Sequence, residues 1–466
     1  MGNFFKGIGK SIAEFFGMFA KGDIFTKLSA VIMGLGCLVR GQIARGLMFL
    51  FIEIMFIYYM IFHGSYWLSM LPSLGIKGPS KEYDSFLDVY VTTYNDNSFL
   101  ILLYGILTIF IIIAMVLVWA FNIKSSYKAW ELKKAGKKVN KLKDDFKDLT
   151  DAGFYKTLLF LPTIGIFVFT VLPIVFMIFV AFTNYDGAHD GYINSLFTWV
   201  GLDNFKTLFS MVGGSNSYLS IFGRILGWTL IWAFFATFSN YFLGIILAMM
   251  INRKGIKFKK MWRTIFVMTI AIPQFISLLY VSKMFDKSGI VNGWLMNLGW
   301  VTQPIDFWGT ATLARVMVIL INIWIGIPYL MLIATGILMN IPQDLYEAAK
   351  IDGASPIQQF KSITMPYMLF ITAPYLLTQF TGNMNNFNVI YLLTSGGPTN
   401  PAASSASGTV GYTDLLITWL FKITTGTESA YYLASVIGIA VFVIVTVISL
   451  SVYRVLPSVK NEEGMQ

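Results

Sequence analysis

From Phe99 to Phe121 the chain reads "FLILLYGILTIFIIIAMVLVWAF", without a single charged side chain. A helix rises about 1.5 Å per residue, so this stretch is long enough for the roughly 30 Å hydrocarbon core of a bilayer. Where no water reaches, backbone N–H and C=O groups must pair within the segment, and a helix does that alone. Seven further stretches repeat the pattern: Gly46–Phe62, Thr157–Phe182, Ile225–Ile251, Thr264–Phe285, Thr312–Met339, Tyr367–Leu392 and Ala430–Tyr453. The expected fold class is an all-α polytopic membrane protein with about eight transmembrane helices. Only 12% of the residues are charged, against about a quarter in soluble domains, which excludes an ordinary soluble fold. Prolines 162, 173, 273, 328 and 374 fall inside spans, where neighbouring helices must satisfy the groups they free.

Basic residues set the expected orientation. Lys6, Lys10, Lys21, Lys27, Arg40 and Arg45 precede the first span, and nine lysines from Lys124 to Lys147 follow the second. The loop after the fourth span, "NRKGIKFKKMWR", repeats the signal, whereas the first, third, fifth and seventh connections hold few cations. Both termini are therefore expected in the cytoplasm, in a bacterial plasma membrane. The net charge of +10 follows from this asymmetry, and nucleic acid is not an expected partner. Membrane lipid is, as solvent and as a possible ligand of the Lys-rich stretch, although a solvated connector explains that stretch as well.

The first residues, "FFKGIGKSIAEFFGMF", place Phe4, Phe5, Ile8, Ile12, Phe15, Phe16 and Phe19 at helical spacing with lysines between, as in a helix lying on the inner leaflet. No apolar core with a small-residue cleavage site precedes Lys27, so a signal peptide is not expected. "LSAVIMGLGCLV", between Lys27 and Arg40, is too short to cross and is read as interfacial or re-entrant. Glu53 is a lone acid within the first span, more in keeping with packing or a partner subunit than with a proton relay, since no second acid or histidine accompanies it. The expected organisation is an N-terminal segment 1–45, two accessory helices in 46–121, a Lys-rich connector 122–156, a core 157–456 and a tail 457–466.

One cysteine, Cys37, and two histidines, His63 and His189, exclude a disulfide framework and leave little material for a metal site, so none is expected. No Walker A loop, histidine pair or nucleophile constellation is present. No catalytic residue is assigned, and energy for any transport must come from another chain.

Between the sixth and seventh spans lies "IPQDLYEAAKIDGASPIQQFKSITMP". Asp344 near a helix start and the helix formers Leu345 to Lys350 lead to Gly353; Ser355 then stands at an N-cap with Pro356 at the first helical position. A helix, turn and second helix ending at Pro366 are expected, with Leu345, Ala348, Ala349, Phe360 and Ile363 forming an apolar surface suited to a partner's groove. The pattern Glu347, Ala348, Ala349, Asp352, Gly353, Ala354, Phe360, Ile363 and Pro366 resembles the "EAA" loop of permease subunits in bacterial ABC importers, here residues 344–366. "AFTNYDG", "IPQFIS" and "NMNNFNVIYLLTSGGP" narrow the resemblance, over roughly 150–456, to the larger, MalF-like type of maltose/maltodextrin permease.

This resemblance implies a type I ABC permease core and a loop that docks in the cleft of a cytoplasmic ATPase dimer. It also implies a MalG-like second permease subunit, an extracellular binding protein delivering maltodextrin or a related oligosaccharide, and ATP with Mg at the ATPase subunits rather than on this chain. The loop from about 184 to 222 is short where some relatives carry a folded external domain, so the binding protein should dock on short loops. Sugars need planar hydrogen-bonding groups and aromatic faces at mid-depth. Gln379, Asn383 and Asn386 recur at i, i+4 and i+7, one helical face; Gln274 follows Pro273, and Tyr329 follows Pro328 with Gly326 nearby. The resemblance implies sugar contacts at these six positions, against the alternative that the amides brace helices together. An importer of another oligosaccharide or glycoside, an ion-coupled transporter and a membrane sensor or scaffold remain as other readings.

Overall fold

A computed structural model of the chain describes residues 13–86, 88–210, 217–253, 255–401 and 409–455. Phe4, Phe5, Ile8 and Ile12 of the amphipathic start, and the tail 457–466, lie outside the described residues. Among the described residues six helices are long and apolar enough to cross a bilayer: α1 (Ile43–Met70), α2 (Ser98–Lys134), α3 (Phe154–Val180), α4 (Tyr218–Asn252), α7 (Ala311–Leu338) and α11 (Tyr431–Val455). A seventh crossing is divided into α5 (Lys259–Ala271) and α6 (Gln274–Met284), which meet at 90°. Pro273 sits at the bend with ψ 126, cannot donate into the preceding turn, and so ends one helix and starts the next.

The expected eighth span, Tyr367–Leu392, is also divided. α9 (Met365–Met384) stops at Asn385, and α10 (Phe387–Thr394) begins under an Asn386 cap. Two prolines, Gln379 and Asn383 make α9 less apolar than the six long helices. One element departs from an all-helical chain: β1 (Ser80–Asp84) and β2 (Val89–Thr93) pair antiparallel as a hairpin between α1 and α2.

Two helices widen into π-turns just before a proline. Phe167–Val171 precedes Pro173, and Phe360–Thr364 precedes Pro366. A proline withholds its N–H and pushes on the carbonyl four residues earlier; the wider turn absorbs both effects and the helix continues.

The chain divides into two compact units, 1–201 and 202–466. In the first, the stretch between Lys27 and Arg40 is folded around two short helices, Ile24–Leu28 and Leu35–Leu38, packed against α1 and α2 with several side chains left exposed. Met33, Cys37 and Phe49 form its core with Trp119 packed beside them. Gly34 takes φ +83, and a Cβ there would lie 2.0 Å from the carbonyl oxygen of Gly46. Only two glycines allow the segment to come this close to α1.

Polar side chains hold this knot. Arg40 is 3% exposed, pairs with Asp23, and donates to Gly36 O at 2.7 Å and Ser126 Oγ at 2.8 Å. Asn122 accepts from Gly34 N–H at 2.9 Å and donates to Ser29 O at 2.8 Å. Glu53 accepts from Met33 N–H at 2.9 Å, so its partner is the backbone of the segment between Lys27 and Arg40 and lies in this chain. The Lys-rich connector is pinned as well: Arg45 pairs with Asp145 at 2.5 Å and Gln42 donates to Asn140 O at 2.9 Å.

In the second unit α4 packs along α7 and α9. Trp228, Trp232, Leu278, Val318, Val389 and Leu415 form one apolar cluster; Tyr241, Ile245, Met331 and Met368 belong to a second, nearer the loop that follows α7.

Candidate functional site

The loop after α7 folds as a helix, a left-handed turn and a second helix. α8 (Gln343–Ile351) starts at Pro342 and carries Asp344 in its first turn, which suits the positive end of the helix dipole. Gly353 at φ +76 reverses the chain, in the region where a Cβ is disfavoured. Ser355 then accepts from Gln358 N–H while the Gln358 side chain accepts from Ser355 N–H at 2.7 Å, a reciprocal cap, with Pro356 in the first turn.

The second helix does not end at Pro366. It runs from Pro356 through the π-turn into α9, so the loop and the membrane span are one continuous rod. Tyr346 and Thr364 join their hydroxyls at 2.8 Å and fix α8 to that rod. The hydroxyl pair thus ties α8 to the rod in addition to the chain turn at Gly353.

The exposed face differs from the one expected. Leu345, Ile351 and Ile357 are 49%, 86% and 67% exposed, and Glu347, Ala348, Asp352 and Gly353 also lie on the surface. Phe360 instead packs against the Tyr241–Met368 cluster, and Ile363 is half-buried beside the wholly sequestered Thr364. Phe360 and Ile363 thus seat the rod while Ile351 and Ile357 are exposed. Ala349 and Ala354 are half-buried, and Pro366 is exposed where the rod enters the span.

The six expected sugar-contacting positions do not form a single group. Gln274 and Tyr329 line one cavity of about 270 Å³ at the α5–α6 bend, together with Thr269, Ser277 and Trp324. That volume is close to the lower end of ligand pockets, about 300 Å³. Trp324 and Tyr329, each 51% exposed, offer aromatic faces there. Trp324 was not singled out by sequence, because one tryptophan in an apolar run carries no periodic signal.

Asn383, Asn386 and Gly326 sit elsewhere. Asn383 donates to Thr237 Oγ1 on α4 at 3.0 Å, its carbonyl accepts from Trp232 Nε1 at 3.0 Å, and its amide oxygen takes a bond from Asn386 at 3.3 Å. Asn386 caps α10 by accepting from Val389 N–H at 3.2 Å. The helix break at Asn385 removes the single face that i, i+4, i+7 spacing predicts. Gly326 lies against α4, where a Cβ would come within 2.2 Å of Asn240 Nδ2. Gln379 is half-buried on α9.

Three buried polar atoms on α4, α7 and α9 have no partner among the described residues: Asn240 Oδ1, Asn322 Nδ2 and Tyr375 Oη. Asn322 stands one turn before Gly326, and a lone amide mid-span was the available signal for it. Unpaired buried polar atoms are costly, and a ligand that satisfies them recovers that cost. Among the described residues no group of His, Cys, Asp or Glu is arranged to hold a metal ion.

Residues 240–461 match the family model described as "Binding-protein-dependent transport system inner membrane component". The chain is 37% identical over 447 residues to the maltodextrin transport system permease protein MdxF of Bacillus subtilis, covering 94% of this chain and 97% of that one. It is 32% identical over 439 residues to the galactooligosaccharides transport system permease protein GanP of the same organism, covering 93% and 98%. A solved bacterial ABC transporter that imports the acidic polysaccharide alginate superposes with a TM-score of 0.52 at 23% identity, over 66% of this chain and 96% of that chain, which shows a shared fold.

Proposed function

The chain belongs to the family of binding-protein-dependent transport system inner membrane components, as a multi-pass ABC permease subunit and not an enzyme, and we propose that its cargo is a linear α-glucan oligosaccharide of the maltodextrin class. Support comes from the likeness to MdxF over nearly the whole of both chains, and from a cavity at the α5–α6 bend that combines Trp324 and Tyr329 faces with Gln274 and Ser277. Asn322 on α7, Asn383 on α9 and Asn386 at the α10 cap would add amide contacts.

The remaining complex follows in outline. A sugar-loaded binding protein docks on the extracytoplasmic loops; a MalG-like subunit supplies the other half of the path; two ATPase subunits hold ATP and Mg and receive Leu345, Ile351 and Ile357 in a cleft. Residues 157–456 act as the permease core, with 1–45, the helices within 46–121 and the connector 122–156 as an accessory part and 457–466 as a cytoplasmic tail. Closure of the ATPase dimer moves α8, and the rod Pro356–Met384 carries that movement into the span. The observation that carries this reading is the rod itself, with an exposed amphipathic helix joined to a transmembrane helix by a reciprocal cap, a hydroxyl pair and a π-turn.

The test is uptake of labelled oligosaccharides, from maltose to maltoheptaose with raffinose and a galactooligosaccharide, in cells lacking and regaining the gene. Gene-dependent, ATP-dependent uptake of α-glucans is expected. Uptake confined to galactooligosaccharides would retain the importer and replace the cargo. Gly353→Pro forbids φ +76 and should leave membrane insertion intact while abolishing uptake; normal uptake by that variant would remove the loop from the coupling step.

A further inference from the structure

Arg315 lies near the start of α7, about 35 Å from Leu338 and the coupling loop at the other end of that helix. Its guanidinium stands 4.6 Å from the centre of the Trp228 ring and 5.8 Å from that of Tyr412. Nε–H donates to Tyr412 O at 2.8 Å, and Trp228 Nε1–H donates to Thr413 O at 3.1 Å. The plane of the guanidinium is thus fixed by two aromatic rings and one backbone bond. Its two terminal NH₂ groups have no hydrogen-bond partner among the described residues.

Those groups border a recess that also contains Arg224 and Asp414. Asp414 does not neutralise the arginines. Its side chain is fully buried, with Oδ1 accepting from Thr418 and Oδ2 from Gly411 N–H at 2.6 Å and from Lys422 Nζ at 2.7 Å. Lys422 therefore balances Asp414, and the charge of Arg315 at the recess is not taken up by that carboxylate. Its free volume is about 20 Å³, room for one or two water-sized atoms and far too little for a sugar ring. A fixed guanidinium edge facing so small a space matches one planar anion, a carboxylate held by two parallel bonds.

We propose that this recess is the socket for an aspartate or glutamate side chain of the extracytoplasmic binding protein, with Arg315 as its anchor. The inference rests on the reading that a binding protein feeds this permease, and it places one contact of that docking at the end of α7 opposite the ATPase-coupling loop. Arginine fixed in a partly desolvated pocket is the residue type that carries interface energy, and a charge pair there makes docking sensitive to salt.

The experiment measures the affinity of the importer's own sugar-loaded binding protein for the complete complex in nanodiscs, at low and high ionic strength. Arg315→Gln should weaken docking at least about tenfold and flatten its salt dependence. Arg315→Lys, which keeps the charge and loses the fork, should dock weakly and retain the salt dependence. Docking by both variants like the parent, or weaker docking with the parental salt dependence in Arg315→Gln, would overturn the socket; the latter would reduce Arg315 to a brace for residues 410–414. Competition by millimolar glucuronate would assign the recess to a free sugar acid and overturn the protein contact. Absence of docking to the unaltered complex would overturn the binding-protein reading as well, whereas the identity of the sugar does not enter this test.

Discussion

The polar residues of the knot around Arg40 and those along α4, α7 and α9 stand in segments of similar apolarity, yet their hydrogen bonding differs. Arg40 uses both terminal nitrogens, on Asp23, Thr26, Gly36 and Ser126; Asn122 uses both ends of its amide; Glu53 holds a backbone N–H. Along the other helices Asn240, Asn322 and Tyr375 each leave one buried polar atom unmatched. A polar side chain at membrane depth is a functional candidate by default. The expectation to test is that a group already paired within the chain shapes it and that an unpaired one on α4, α7 or α9 meets the cargo; Gln42 Oε1 and Ser98 Oγ in the first unit are unpaired as well.

The sharpest test of that distinction is Arg40→Met. It leaves Asp23, about a quarter exposed, without its cation, and it strips the buried Gly36 O of a donor, which alone costs about 1–3 kcal/mol. We expect a large fall in the amount of assembled protein, read by thermal unfolding in detergent and by membrane content. Unchanged stability would mean that the knot is not held by this pair.

Glu53→Ala comes next. It strips the Met33 N–H of its acceptor, at a cost of about 1–3 kcal/mol, and should lower the unfolding temperature while leaving the sugar concentration for half-maximal uptake unchanged. A Glu53→Ala protein that assembles normally but fails to transport would move Glu53 into the set that acts on cargo.

Asn383→Ala tests the boundary between the two sets, because Asn383 is paired and yet lies among the candidates. Its bond to Thr237 is of a kind worth about 0.6 kcal/mol between membrane helices, so a small loss of stability is expected. Should the half-saturating sugar concentration also rise several-fold, the amide exchanges its bond to Thr237 for one to sugar. An unchanged value would leave it as a brace.

Much of this was legible in the sequence, and the part that was not has a common cause. The spans follow from length and apolarity, and the reversal at Gly353 and the cap at Ser355 follow from local chemistry, which needs no tertiary context. The outward face of the loop was misread at Phe360 because that ring packs against Tyr241, Met331 and Met368, contacts between distant segments that local spacing does not reveal. The face of Gln379, Asn383 and Asn386 was misread because Asn386, a good cap, ends one helix by starting another. Glu53 looked solitary because its partner is a backbone N–H twenty residues earlier, and backbone donors leave no mark in composition. Trp324 joins the cavity only through the bend at Pro273, which sets the α5–α6 corner beside α7.

Asn322→Ala carries the smallest expected effect on stability and the most direct reading of the comparison. Its Nδ2 donor has no partner among the described residues, so truncation breaks no bond at that atom; relief of an unpaired buried donor, worth about 1–3 kcal/mol, opposes the packing lost, and little net change in stability is expected. If the unmatched amide serves the cargo, the same variant should raise the half-saturating sugar concentration about tenfold, the equivalent of 1.4 kcal/mol. A variant that shifts neither quantity would show that an unpaired donor in this interior is merely tolerated. One that loses stability without changing the sugar dependence would place Asn322 with Arg40 and Glu53, as part of what holds the helices together.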